Sequence, residues 1–353
     1  MKKVLLAALM MGATLGAQAQ SEWFKNVKFS GYGMVQYQAS DKDGAESNAF
    51  NLRLVRMALE GRAHDDFYWK VQMQINGNTY DPDKSSTDIR LVDLFGEWQK
   101  YEFFKVKAGQ FKRPFTFENP MHPITQGFMS YSQNVSKLAG FSDRCGGNAS
   151  NGRDIGVQIQ GDFLKNAEGR NLLHYQVGAF NVEGINQKDK DNRKDIIGGM
   201  WVMPVKGMRI GAFGWTGSRA GVGEKNRYAL SGEYTQDDWT FRTEYIHSQG
   251  WNAAHTSDKA DGIYALCIAP IQKNKMHVKA RYDLYREANS WNGFINDANQ
   301  FVGGAKTLYE IGADYLFTKN LQINVEYARV NDRTINSDKH SYNMVDVELD
   351  FRF

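Results

Sequence analysis

The polar and apolar residues alternate with a period of two along most of the chain. Trp69-Lys70-Val71-Gln72-Met73-Gln74-Ile75-Asn76 puts an apolar residue at every odd position and a polar one at every even position. Met276 to Leu284, Leu321 to Tyr327 and Val345 to Phe353 repeat the pattern. Successive strand side chains point to opposite faces, so each segment has one apolar face and one charged face. The segments are long for strands of a water-soluble protein, which average about 5–6 residues. They match the roughly 9–11 residues that a tilted strand needs to cross a bilayer.

Sixteen such segments are predicted. The first eight are Val27–Gln38, Leu52–Ala63, Phe67–Asn76, Ile89–Gln99, Phe104–Lys112, Arg153–Phe163, Leu172–Asn181 and Asp195–Pro204. The second eight are Met208–Gly217, Arg227–Gln236, Trp239–Ser248, Gly262–Ile271, Lys275–Arg286, Lys306–Phe317, Leu321–Asn331 and Tyr342–Phe353. Their connections alternate in length. Short turns such as His64-Asp65-Asp66, Lys206-Gly207 and Asp237-Asp238 separate longer polar stretches: Ala39–Asn51, Asn78–Asp88, Val182–Lys194, Gly250–Asp261 and Glu287–Ala305. That alternation and an even strand count predict an all-β, transmembrane antiparallel barrel. Arg113 to Gly152 stands apart as a long segment without strand period, rich in Pro and Gly. Loops of this length are usually functional or disordered. In a pore, such a loop folded into the lumen would narrow it, while a loop that stayed outside would not.

The N-terminus sets the compartment. Lys2 and Lys3 precede the apolar run Val4 to Ala17, and Ala17-Gln18-Ala19 offers a small-x-small cleavage pattern. Residues 1–19 therefore read as a cleaved signal peptide, leaving 20–353 as a single outer-membrane barrel domain. No later run is apolar enough for a spanning helix, and mean hydropathy is −0.56. A barrel with a wet interior shows just such a half-polar sequence.

Composition narrows function more than it identifies it. Without Lys2 and Lys3, 41 basic residues face 40 acidic ones, so net charge gives no case for a nucleic-acid partner. Cys145 and Cys267 have no CxxC neighbour, and their spacing does not say whether they pair. The seven histidines show no metal-ligand spacing, and no cofactor is implied. No motif such as GxSxG points to an enzyme. Aromatic residues gather near segment ends on the apolar face, among them Trp69, Trp98, Trp239, Tyr282, Tyr315, Tyr327, Phe351 and Phe353. Rings that tolerate both oil and water form girdles at membrane interfaces.

Three stretches carry a family likeness. Leu52–Lys70 reads LRLVRMALEGRAHDDFYWK, Lys107–Glu118 reads KAGQFKRPFTFE, and Gly152–Gly161 reads GRDIGVQIQG. In this order and spacing they resemble the phosphate-selective porin O and P family. The later Tyr175–Gly184 and the pair Lys194-Asp195 are similar too. The resemblance implies a homotrimeric porin in the outer membrane of a Gram-negative bacterium, passing phosphate or similar small anions past a third loop folded inward. Carried onto this chain, it makes Lys112 and Arg113 the start of the constricting loop and Arg153 its exit. By alternation, Arg56, Arg62, Lys70, Arg242, Lys279 and Arg281 also face inward, completing the candidate anion path. The same parity turns Glu60, Asp93, Glu97, Glu310, Asp314, Glu326, Asp346, Glu348 and Asp350 inward, so the wall is mixed in sign. A barrel acting as receptor, adhesin or enzyme is the alternative to an open channel.

Overall fold

The computed structural model describes residues 26–76, 89–140, 150–219, 223–224, 226–249 and 259–353. The expected signal peptide, and Cys145 with it, lie outside the described residues; Cys267 is a free thiol on a strand. Sixteen long strands carry the fold: β1 Lys28–Ser40, β2 Ser47–His64, β3 Phe67–Gln74, β4 Arg90–Tyr101, β5 Phe104–Lys112, β6 Arg153–Lys165, β7 Asn171–Phe180 and β8 Asp195–Val202. They continue with β9 Met208–Thr216, β10 Asn226–Gln236, β11 Trp239–Gln249, β12 Ala260–Gln272, β13 Met276–Glu287, β14 Phe301–Thr318, β15 Leu321–Asp332 and β16 Ser341–Arg352. Each pairs antiparallel with its sequence neighbours, and β1 pairs with β16, so the sheet closes on itself. Closure leaves no open strand edge, which lipid would not tolerate.

The seam shows how the ring shuts. Gly31 and Phe353 exchange backbone hydrogen bonds of 2.9 and 3.0 Å. A Cβ at Gly31 would meet the Phe353 ring at 2.4 Å, and one at Gly33 would meet Phe351 at 2.4 Å. The two glycines thus make room for the terminal aromatics to lie over β1. At the other extreme, Asp237 and Asp238 both take positive φ, 52° and 67°, as a two-residue hairpin of primed type requires.

The alternation sorts the two faces as the sequence predicts. Val345 and Leu349 are each 38% exposed, whereas their neighbours Glu348 and Asp350 are 1% and 2% exposed. Leu230, Ile311 and Val325 are likewise exposed on the apolar face, while Arg281, Glu310 and Glu326 are buried on the other. In a closed ring the hidden charged face is the inner one. The exposed apolar belt suits lipid, which makes burial of charge and exposure of oil the stable arrangement.

Most boundaries lie within two residues of expectation, and the starts of β2 and β14 come five residues early. β2 begins at Ser47 and β1 runs to Ser40, so the first long connection shrinks to 41–46; both ends pair beyond the apolar zone, where no alternation marks them. β14 begins at Phe301, pairing there with the short strand Gly293–Ile295. Gly303 and Gly304 hold φ of 76° and 99° at that point and break the period.

The long segment after β5 is densely built over its described part. It carries one short helix, α1 Gln133–Leu138. Phe115, Phe117, Val135 and Leu138 are fully buried and pack with Phe180, Phe213 and Trp215 in the main apolar cluster.

Candidate functional site: a cationic cavity beside the long segment

Six basic side chains converge on one cavity of about 390 Å³. β2 contributes Arg56, β3 Lys70, β5 Lys107 and Lys112, and β6 Arg153; Arg113 follows β5 directly. The opposite wall is the segment Pro120–Pro123 with Pro114. Among the described residues, Asp93 is the one carboxylate in the lining, against those six cations.

The cations differ in how they are held. Arg153 is fixed by Asp93, with Nε 2.6 Å from Oδ1. Arg113 is buried against Asp154 at 2.8 Å and donates to the Gly140 carbonyl at 2.9 Å. These bonds anchor the segment to the start of β6. Lys70 and Lys107 stand 4.0 and 3.6 Å from Glu60 and Glu97. Arg56 instead donates to neutral acceptors, the Gln74 carbonyl oxygen at 3.0 Å and the Tyr32 hydroxyl at 3.1 Å. Lys112 lies directly across the strand pair from Arg153 and donates to the Tyr131 hydroxyl at 3.3 Å.

His122 reports the resulting field. Its ring packs edge-on to Tyr32 at 4.5 Å. Burial first, then Arg352, Arg56, Lys70 and Lys112, push its pKa down to about 4, so it is neutral at ordinary pH.

The other predicted cations do something else. Arg242, Lys279 and Arg281 donate to the backbone carbonyls of Gln126, Gly127 and Ser130, at 2.8, 2.9 and 2.8 Å. Each is also paired with a wall carboxylate, respectively Glu233, Glu326 and Glu310, all at 2.6 Å. Acidic wall residues take the matching amides. Glu244 accepts from the backbone N–H of Phe117 and Glu118 at 2.7 and 2.8 Å. Glu326 accepts from Met129 at 2.9 Å and Asp283 from Gln133 at 2.8 Å. The segment is therefore strapped to the charged face of β11, β13 and β15 through its own backbone. Such buried, charge-assisted bonds are about twice as strong as neutral ones.

The nine sequence-derived cations thus fall into three sets. Arg56, Lys70, Lys112, Arg113 and Arg153 meet at the cavity. Arg242, Lys279 and Arg281 are straps. Arg62 belongs to neither: it is exposed near the short β2–β3 turn and donates to the Asp65 carbonyl at 2.6 Å. Parity gave its face but not its height in the barrel. Lys107, Gln158, Gln160, Gln176 and His122 line the cavity and were not singled out from sequence. Alternation with Val106 and Ala108 does mark Lys107 as inward; nothing in the sequence marks His122.

The acidic column of β16 is also engaged. Glu348 pairs with Arg53 at 3.0 Å, and Asp346 accepts from Gln36 and Gln38, both at 2.8 Å. Among the described residues, no group of three His, Cys, Asp or Glu side chains could hold a metal.

The comparisons with known proteins bear on the family and the barrel fold. The family model described as phosphate-selective porin O and P matches residues 30–192. The anion-selective porin from Comamonas acidovorans is similar in fold at TM-score 0.64 and 12% identity, covering 93% of this chain and 99% of its own. OmpF of Salmonella typhi, solved with daunomycin, gives TM-score 0.64 and 13% identity over 93% and 98% of the two chains. The outer-membrane channel DcaP of Acinetobacter baumannii gives 0.61 and 11% over 93% and 97%. No curated protein matches the chain by sequence.

Proposed function

With residues 30–192 matching the phosphate-selective porin O and P family and the strands closing into a porin barrel, we propose that the protein is an outer-membrane porin that passes small anions, phosphate among them. The carrying observation is the cavity lining, with six cations against Asp93. A ring of one sign at the narrowest point sets a channel's preference. The segment from Arg113 onward serves as the constriction, folded inward against the charged wall. Its straps to Glu244, Asp283 and Glu326 support that placement. Arg242, Lys279 and Arg281 are each paired with a wall carboxylate away from this cavity, and the cations gathered at the cavity carry the selectivity in this reading.

A homotrimer in the outer membrane of a Gram-negative bacterium completes the reading. It is supported by the family match and by the fold likeness to OmpT of Vibrio cholerae, described in a trimer form. The first 19 residues act as the export signal and 20–353 as one barrel domain; the mature protein begins at Gln20.

Bilayer recording tests the proposal. Discrete ohmic steps that persist when phosphate replaces chloride, and change little when a bulky cation replaces potassium, are expected. Current carried mainly by potassium, or a barrel that gives no steps, would overturn it.

A further inference from the structure

The cavity is larger and chemically less uniform than a bare inorganic anion requires. Its 390 Å³ would hold about 13 waters at roughly 30 Å³ each. That is within the range of about 300–1,000 Å³ for organic ligand sites. Its two ends also differ. Lys112 and Arg153 lie at the end of β5 and the start of β6, and Arg56 reaches the same cavity from β2. Five residues along β6, roughly 16 Å at about 3.3 Å per residue, comes Gln158, followed by Gln160, with Gln176 opposite Gln160 on β7.

Resting on the anion reading above, we propose that this cavity selects an organic phosphate monoester with a hydroxylated body of hexose size. The phosphate sits at the Arg56, Lys112 and Arg153 end, where guanidinium and ammonium donors suit its oxygens. The body reaches the amide end. Gln158 and Gln160 are joined there, Nε2 to Oε1 at 2.6 Å, and Gln160 is in turn tied to Glu97 at 2.5 Å. An amide both donates and accepts, which is what vicinal hydroxyls need. Lys107 at that end is balanced by Glu97 at 3.6 Å, so the charge there is spent and the amides dominate. Between the ends, Phe95 and Phe111, edge to face at 5.9 Å, offer an apolar flank to the C–H face of a sugar ring. Inorganic phosphate would use the cationic end alone. Binding at such a subsite raises local concentration while the open passage still lets the solute leave.

Block of the chloride current by glucose 6-phosphate, inorganic phosphate and glucose tests this on the reconstituted wild-type protein. Glucose 6-phosphate is expected to half-block at a concentration roughly tenfold below that of inorganic phosphate, with no block by glucose. In the double variant Gln158→Ala, Gln176→Ala, the ratio of the two half-block concentrations should fall roughly tenfold, to near one. An anion-selective channel that glucose 6-phosphate blocks no better than phosphate would sink the sugar-body proposal and leave the anion reading standing. A cation-selective channel blocked by neither would sink both.

Discussion

Lys112 is the most direct handle on selectivity. It is half-buried in the lining, lies opposite Arg153, and its bond to the Tyr131 hydroxyl is to a neutral group. Reversal to glutamate would place a carboxylate beside Arg153 and Arg56. The lining charge would drop by two. Lys112 lines the cavity, so a permeating ion passes within about 5 Å of its charge. One unit charge at that distance in water acts with about 0.8 kcal/mol, and reversal changes the interaction by about 1.7 kcal/mol. Screening at 0.1 M salt, with a Debye length of about 10 Å, leaves about 1 kcal/mol. That is roughly fivefold less anion and fivefold more cation, or roughly 10–30-fold in the permeability ratio. Lys112→Gln should give about half the effect, roughly fivefold. At 1 M salt, where the Debye length is about 3 Å, the reversal should shrink to about threefold. The assay is the zero-current potential of each variant in a KCl gradient. A ratio that moves less than about twofold at 0.1 M, in a variant that still migrates as a heat-modifiable barrel, would show that Lys112 does not border the narrowest path.

Other perturbations follow from the same geometry. Glu244→Ala removes the acceptor for the Phe117 and Glu118 amides, and should loosen the long segment and raise unit conductance and current noise, read in single-channel records. Val345→Arg puts a charge on the exposed apolar face and should destabilise the barrel by about 2–4 kcal/mol if it lies near mid-bilayer, seen as a lower temperature for loss of the compact band on gels. His122 has a folded pKa near 4 against 6.5 for the free side chain, so its burial favours the strapped state above pH 6.5 and loses that contribution as pH falls from 6.5 towards 4. Acidification through this window should increase gating of the wild type, and His122→Asn should flatten the change.

The fold could be read almost whole from the sequence, for a physical reason. Lipid on one side and water on the other force a two-residue period wherever the wall crosses the bilayer. Phe104–Lys112 shows that signal and is observed as predicted. The signal stops where the wall leaves the lipid: Ser47 to Asn51 pair with β1 but face water on both sides. It also stops at bulges, since the register shift between Gln72 and Met73 moves a strand's parity without any sequence mark. The site was half legible for a related reason. Alternation says which face a charge takes and so turns Arg56 and Lys70 inward, whereas Lys112 and Arg153 come from the family resemblance alone. Alternation does not say what sits opposite. Nothing local in the sequence brings Arg113 to Asp154, or turns Arg242, Lys279 and Arg281 into straps for Gln126, Gly127 and Ser130.

The sign of the wild-type zero-current potential across a bilayer in a KCl gradient tests the central claim most directly. A channel whose narrowest lining is the six-cation cavity must let chloride outrun potassium, giving the anion sign. A potential of the cation sign, with the barrel intact and conducting, would contradict the account.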